Sequence, residues 1–168
     1  VVLMASLDLS RMIQRLDGEL VVALEEAVAI AVRSGHESVE VEHWFIALSD
    51  TSATYAKTLE LCHGDAQLIS EAANRSLEQY GRGHTGSPSI SPAIIDMVRE
   101  GWLYASLQHG RPVLDILDLL YTALTDASLR ALAIGGIPAL RSVHIGELER
   151  LIEARAPLDL IAIACRFP

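Results

Sequence analysis

Apolar residues recur at three- and four-residue spacings along most of the chain, which predicts amphipathic helices rather than strands. A short first helix is expected from Leu7 to Leu16, with Asp8 placed to cap its N-terminus. A longer helix follows and ends at Gly35, because glycine readily adopts the left-handed backbone that closes a helix. Three more helices are predicted over residues 42–49, 52–62 and 65–80.

The second half of the chain begins with a break in this pattern. Residues 81–90 are rich in glycine and serine and contain a proline, a composition typical of a linker. Ser91 and Pro92 then form an N-cap with proline at the first helical position, and the helix that they start runs to Gly110. Further helices are expected over residues 117–126, from there to Gly135, and over 144–154.

The two halves resemble each other. Gly35 and Gly110 each end a long helix and lie 75 positions apart (110 − 35). With one more inserted residue, 41–50 aligns with 117–126, which places Leu119 opposite His43. We therefore predict an all-α fold of two tandem, pseudo-symmetric four-helix repeats preceded by one extra N-terminal helix. In this interpretation a single domain covers 7–154, with repeats at 19–80 and 91–154 joined by the linker 81–90, and 155–168 is a tail or an interdomain linker.

The joint between the second and third helices carries the densest group of polar residues. Val41 stands at the expected cap position, and Glu42 and His43 then fix the helix start, with His43 partly buried. His36, Glu40 and His43 could also be imagined as metal ligands. Their spacing follows no known ligand pattern, so the structural interpretation is favoured and no metal site is predicted.

Composition and charge narrow the possible functions. With 51% apolar and 21% charged residues the chain has enough apolar content for a folded core. A formal charge of −9 would repel a phosphate backbone, so nucleic acid is not an expected partner. The sequence has neither an apolar run of about 18 residues nor a signal peptide, which predicts no membrane association and a cytoplasmic location.

Motifs for catalysis are absent from the sequence. Lys57, the only lysine, has no glycine-rich loop before it, so there is no P-loop. Neither a zinc-protease helix nor a nucleophile elbow occurs. We therefore expect no enzyme activity and predict no catalytic, cofactor-binding or metal-binding residues.

Three stretches together resemble a known family. They are Asp8-Leu9 through Arg15-Leu16, Ala23-Leu24-Glu25 and Val39-Glu40-Val41-Glu42-His43. In these stretches and in its double repeat, the chain resembles the N-terminal domain of the Clp/Hsp100 AAA+ unfoldases, most of all the ClpV branch of bacterial type VI secretion. The resemblance implies a domain without ATPase activity that docks substrates or adaptors. ATP and Mg²⁺ would then belong to the ATPase domains of a larger parent protein, which would be hexameric, whereas this domain would be monomeric in the bacterial cytoplasm.

The same resemblance implies a binding site. In the ClpV branch a groove between the extra N-terminal helix and the last helix receives an N-terminal helix of the larger sheath subunit. In this chain the groove residues would be Leu9, Met12, Ile13 and Leu16 on the first helix and Leu148, Leu151 and Ile152 on the last. The alternative is that these side chains pack against one another and complete the core.

Two other functions remain open. A domain resembling those of ClpB or ClpC would dock unfolded clients or an adaptor instead of a sheath helix. A stand-alone helical protein that binds a small molecule or a metal between its repeats is the third possibility, although the sequence has no convergent set of polar residues to support it.

Overall fold

The computed structural model describes residues 9–166, and their side chains as far as residue 155. The predicted positions Leu7 and Asp8 therefore lie outside the described residues. The helices in chain order are α1 (9–14), α2 (Gly18–Ser34), α3 (Val41–Thr51), α4 (Ala53–Leu61), α5 (Ala66–Leu77), α6 (Pro92–His109), α7 (Ile116–Thr125), α8 (Ala127–Gly136) and α9 (Ile145–Arg166). A 3₁₀ helix (Pro138–Ser142) precedes α9, and two short strands are β1 (Ser38–Val39) and β2 (Ser89–Ile90). The predicted all-α fold with an extra N-terminal helix is confirmed.

The core of each repeat is built around its second helix. Helix α3 packs between α2 and α5, and every residue from Val41 to Leu48 is buried. Helix α7 packs in the same way against α6, α8 and α9. A helix that is apolar on nearly all sides is stable only when it is surrounded by other elements, which explains why both repeats are arranged around this element. The largest fully buried side chains include Trp44, Phe45 and Tyr55.

The two repeats exchange backbone hydrogen bonds with each other. Strand β1, which leads into α3 of the first repeat, pairs in parallel with β2, which leads into α6 of the second. At the pseudo-symmetric position, Leu16 before α2 forms a parallel bridge with Leu114 before α7. The linker predicted at 81–90 is held by the same contacts, since the amide of His84 donates to the carbonyl of Gly35 at 3.0 Å. The repeats are thus interlocked at both joints.

The last helix is longer than the sequence indicated. Helix α9 begins at Ile145 and continues to Arg166, so the predicted tail at 155–168 starts inside a helix. The Arg155 side chain is bound into the domain, as described below. Among the described helices, none is both long enough and apolar enough to cross a bilayer.

The two helix-ending glycines allow a matched test of the linker contact. Gly35 and Gly110 are both left-handed, at φ +67° and +62°. A Cβ on Gly35 would lie 2.8 Å from the backbone nitrogen of Gly83, whereas a Cβ on Gly110 would meet nothing within 4 Å.

Alanine costs about 1 kcal/mol in a left-handed conformation at either site. We expect Gly35→Ala to lower the free energy of unfolding by at least about 1 kcal/mol more than Gly110→Ala, because the linker backbone must also move. Urea titration of both variants measures this difference. Equal losses of unfolding free energy would show that the linker backbone moves aside without an energetic penalty.

Candidate functional site

Helix α1 presents two apolar faces with different environments. Met12 and Leu16 are only 7% and 5% exposed and belong to the core. Leu9 and Ile13, one helical turn apart and therefore on one side, are 38% and 37% exposed. The helix is thus anchored through one face and offers a short apolar strip to solvent on the other.

The end of α1 is fixed to the second repeat by three contacts. The amide of Asp17 donates to the carbonyl of Leu114 at 3.0 Å, and the amide of Leu114 donates to the carbonyl of Arg15 at 2.8 Å. The Arg15 guanidinium lies 3.8 Å from the centre of the Trp102 ring, a distance suited to a cation–π interaction. These contacts hold α1 against the connection between α6 and α7, so the exposed strip has a defined position on the domain.

The residues predicted for the opposite wall of the groove are mostly core residues. Leu148 is fully buried and Ile152 is 2% exposed, while Leu151 is half-buried at the edge of the core. Helix α9 uses its apolar face to pack on α7 and α4. Of the seven predicted groove residues, Leu9, Ile13 and Leu151 therefore keep accessible surface, and Met12, Leu16, Leu148 and Ile152 lie in the core.

An ionic cluster that the sequence analysis missed joins α9 to α7. Arg155 donates to Asp115 Oδ1 at 2.7 Å and to Asp118 Oδ1 at 3.0 Å, and Arg111 donates to Asp115 Oδ2 at 2.9 Å. Burial alone would raise the pKa of Asp115, but the guanidinium groups of Arg155 and Arg111 bring it below its usual value. Burial, and then the charge of Asp115, raise the pKa of Asp118. The sequence signal was weak, because Arg155 is one of three charged residues in the mostly apolar segment 155–168.

The ionic cluster also relates α9 to α1. Asp115, which Arg155 contacts, directly follows Leu114, which is bridged to Leu16 at the end of α1. The two helices predicted to line the groove therefore both bind the short segment 114–118. This shared attachment places the end of α1 and the part of α9 around Arg155 on the same part of the domain.

A buried histidine pair organises the joint before α3. Glu40 is the N-cap, and its amide donates to Nδ1 of His43 at 2.8 Å. The other nitrogen of His43, Nε2, lies 2.8 Å from Nδ1 of His36. Burial, together with the neighbouring His36, lowers the pKa of His43 to about 4. The prediction that Val41 caps this helix is wrong, and His43 is fully rather than partly buried.

The joint before α7 has the same architecture with different residues. Asp115 is its N-cap, and Asp118 is its third residue and accepts a hydrogen bond from the amide of Asp115, as His43 does from that of Glu40. The repeat offset at the joint is thus 75, with no inserted residue, and Asp118 rather than Leu119 corresponds to His43. The sequence alignment was wrong by one position at this joint because it matched residue types, among them an acid, an aromatic and an Ala-Leu pair, and not the residues that cap the helix. In the described part of the chain, no group of three or more histidine, cysteine, aspartate or glutamate side chains is arranged to hold a metal ion.

Comparisons with known proteins agree with this fold. The sequence model of the Clp repeat N-terminal domain matches residues 15–128. A solved chain from work on the coevolution of the ATPase ClpV, the TssB–TssC sheath and the accessory HsiE protein superposes with a TM-score of 0.77 at 22% identity, over 85% of this chain and 90% of the other. The N-domain of ClpV from Vibrio cholerae gives 0.63 at 21% identity, covering 80% and 90%.

A third solved structure contains a ligand. It is a complex of a ClpV N-domain with a VipB peptide, and it superposes with a TM-score of 0.62 at 22% identity, over 76% of this chain and 82% of the other. At these identities the superpositions establish the fold. No curated protein sequence matches the chain.

Proposed function

The chain belongs to the Clp repeat N-terminal domain family, and from that premise we propose that it is the substrate-recognition domain of a ClpV-like AAA+ ATPase. Its substrate is an N-terminal helix of the larger subunit of the type VI secretion sheath. Contracted sheath held in this way is passed to the ATPase ring of the parent protein for disassembly and recycling. Support comes from the ClpV N-domains among the structural neighbours, one of which is bound to a VipB peptide.

The exposed strip of α1 is the observation that carries the proposal. Leu9 and Ile13 remain accessible while Met12 and Leu16 fix the helix in place, so the strip needs no rearrangement to accept a partner. An amphipathic helix laid along it would bury the remaining exposed surface of both side chains, and because each is already more than half buried, each contributes about 1 kcal/mol. Of the three α9 residues predicted for the second wall, Leu151 is half-buried and keeps accessible surface.

Substitution of Ile13 tests the proposal directly. We expect Ile13→Asp to weaken binding of a fluorescently labelled sheath-subunit peptide by at least about 100-fold, since the contact would lose apolar surface and bury a carboxylate. Leu68→Asp is the matched control, because Leu68 is a 53% exposed leucine on α5, outside the proposed surface. Fluorescence anisotropy gives both affinities, and thermal unfolding shows that both variants fold. Equal affinities for wild type and Ile13→Asp would contradict the proposal.

A second candidate function is docking of unfolded clients, as expected for a ClpB- or ClpC-like domain. The favouring observation is another apolar surface, where Leu107 on α6 is 77% exposed beside a cavity of about 320 Å³. Leu103 and the stacked rings of Tyr104 and Tyr121 also line that cavity. An unfolded protein that binds Ile13→Asp as tightly as wild type but binds Leu107→Asp more weakly would support this function. A domain that binds the sheath peptide and no unfolded protein would support the first.

A further inference from the structure

A second cavity lies where the linker returns over the joint before α3. Its volume is about 390 Å³, and its lining includes His36 and Glu37 from the joint and Tyr80, Arg82 and His84 from the linker side. We call it the joint cavity. It is on the first repeat, and neither the family match nor the proposed peptide surface assigns it a role.

The hydrogen bonds of the histidine pair fix the proton positions in this cavity. Because the amide of Glu40 donates to Nδ1 of His43, that nitrogen is an acceptor and the proton of His43 is on Nε2. Nε2 of His43 therefore donates to Nδ1 of His36. His36 must then carry its own proton on Nε2, so that this atom is a donor.

The Nε2–H donor of His36 has no acceptor within the described residues. The side chain is 4% exposed, and Nε2 is buried without a hydrogen-bond partner. Since Nδ1 is directed at His43, Nε2 is on the side of the ring away from that contact, and His36 itself lines the joint cavity. A buried donor without a partner costs about 1–3 kcal/mol, which a bound acceptor would recover.

The charges around the joint cavity suit an anion of low charge. Burial lowers the pKa of His36, and the positive charge of the nearby Arg82 guanidinium lowers it further, so the ring stays neutral. The same guanidinium is a cation close to the His36 ring. Glu37 also lines the cavity and offsets part of that positive charge. A singly charged oxyanion is therefore favoured over a doubly charged phosphate.

The linker has room to admit such a group. Gly81 and Gly83 flank Arg82, and a Cβ built on either would meet no atom within 4 Å. The segment is held at its end by the bond between the His84 amide and the Gly35 carbonyl. The backbone on both sides of Arg82 therefore has open space beside it, while the end of the segment is fixed to the joint.

We propose that the joint cavity binds a carboxylate, which accepts a hydrogen bond from Nε2–H of His36 and pairs with the Arg82 guanidinium. The source of the carboxylate is either a free small acid or the C-terminus of a peptide. This inference does not depend on the proposed sheath function, because the two sites share no residues.

The test follows the His36 Nε2–H proton by NMR during titration with sodium acetate, against sodium chloride at equal ionic strength. We expect a saturable downfield shift with acetate alone. Arg82→Ala should weaken acetate binding roughly tenfold, because a charge-assisted hydrogen bond is lost. Arg141→Ala, which removes an exposed arginine elsewhere, should bind as the wild type does.

Three results would overturn the proposal: the same shift with chloride, unchanged acetate affinity in Arg82→Ala, or tighter binding of inorganic phosphate than of acetate. An acetylated tetra-alanine peptide with a free C-terminus, compared with its amidated form, identifies the source. Tighter binding of the free acid peptide than of acetate would indicate a peptide C-terminus. Equal or weaker binding would indicate a small free acid.

Discussion

Replacing Arg155 with methionine should lower the free energy of unfolding by about 3 kcal/mol or more. The arginine side chain is 11% exposed and binds Asp115 and Asp118, the second of which has no exposed surface. Methionine keeps much of the packing volume but leaves two carboxylates close together, with Arg111 as the remaining cation at 2.9 Å from Asp115 and 4.0 Å from Asp118. Removing one partner of a buried ionic cluster costs about 3–5 kcal/mol, mostly from the charge left behind. Urea titration at neutral pH measures the loss.

Arg150→Met provides the matched control on the same helix. Arg150 pairs with Glu147, but its side chain is 76% exposed, and an exposed pair contributes about 0–1 kcal/mol. A loss in Arg155→Met no larger than in Arg150→Met would mean that α9 is not held to α7 by this cluster. It would also mean that Arg155 belongs to a tail outside the domain, as predicted from the sequence.

Lowering the pH from 7 to 5 should remove roughly 2 kcal/mol of stability through His43 alone. The pKa of His43 falls from 6.5 to about 4 on folding, mainly because the ring is buried. The unfolded chain therefore takes up this proton at a higher pH than the folded chain does. The stabilisation is complete above about pH 6.5, decreases as the pH falls, and is lost below about pH 4.

A variant that keeps the cap but does not titrate isolates this effect. Glutamine at the third helical position can accept from the N-cap amide, so His43→Gln should flatten the stability profile between pH 7 and 5. Burial raises the pKa of Glu42, which acts in the opposite direction, so the difference between the two profiles is the quantity to measure. Parallel profiles for wild type and His43→Gln would contradict the expectation.

The sequence predicted the helix ends best where one residue type determines the backbone. Gly35 and Gly110 end α2 and α6, and Ser91 caps α6, all as expected. These signals are local, because a left-handed turn or a side-chain cap depends on neighbouring residues only. The start of α3 was wrong because Glu40 is an uncommon cap, and the contact from His43 that completes it is visible only in three dimensions.

Local sequence signals did not predict the contacts between residues that are far apart in the chain. No local pattern pairs β1 with β2 or Leu16 with Leu114, since each pair joins segments from different repeats. The apolar periodicity of α1 identified Leu9, Met12, Ile13 and Leu16 as one set. It did not show which of them the rest of the chain covers, and two are core residues while two are exposed.

The most direct test of the central proposal is to locate the bound helix on the domain. Methyl NMR with isoleucine labels places one probe, Ile13, on the exposed strip of α1 and others, such as Ile69 and Ile94, in the interior with no exposed surface. On addition of the N-terminal peptide of the larger sheath subunit, we predict a large, saturable shift of the Ile13 methyl signal and little change at Ile69 and Ile94. Saturable binding that leaves Ile13 unshifted would show that the peptide docks elsewhere and would contradict the account.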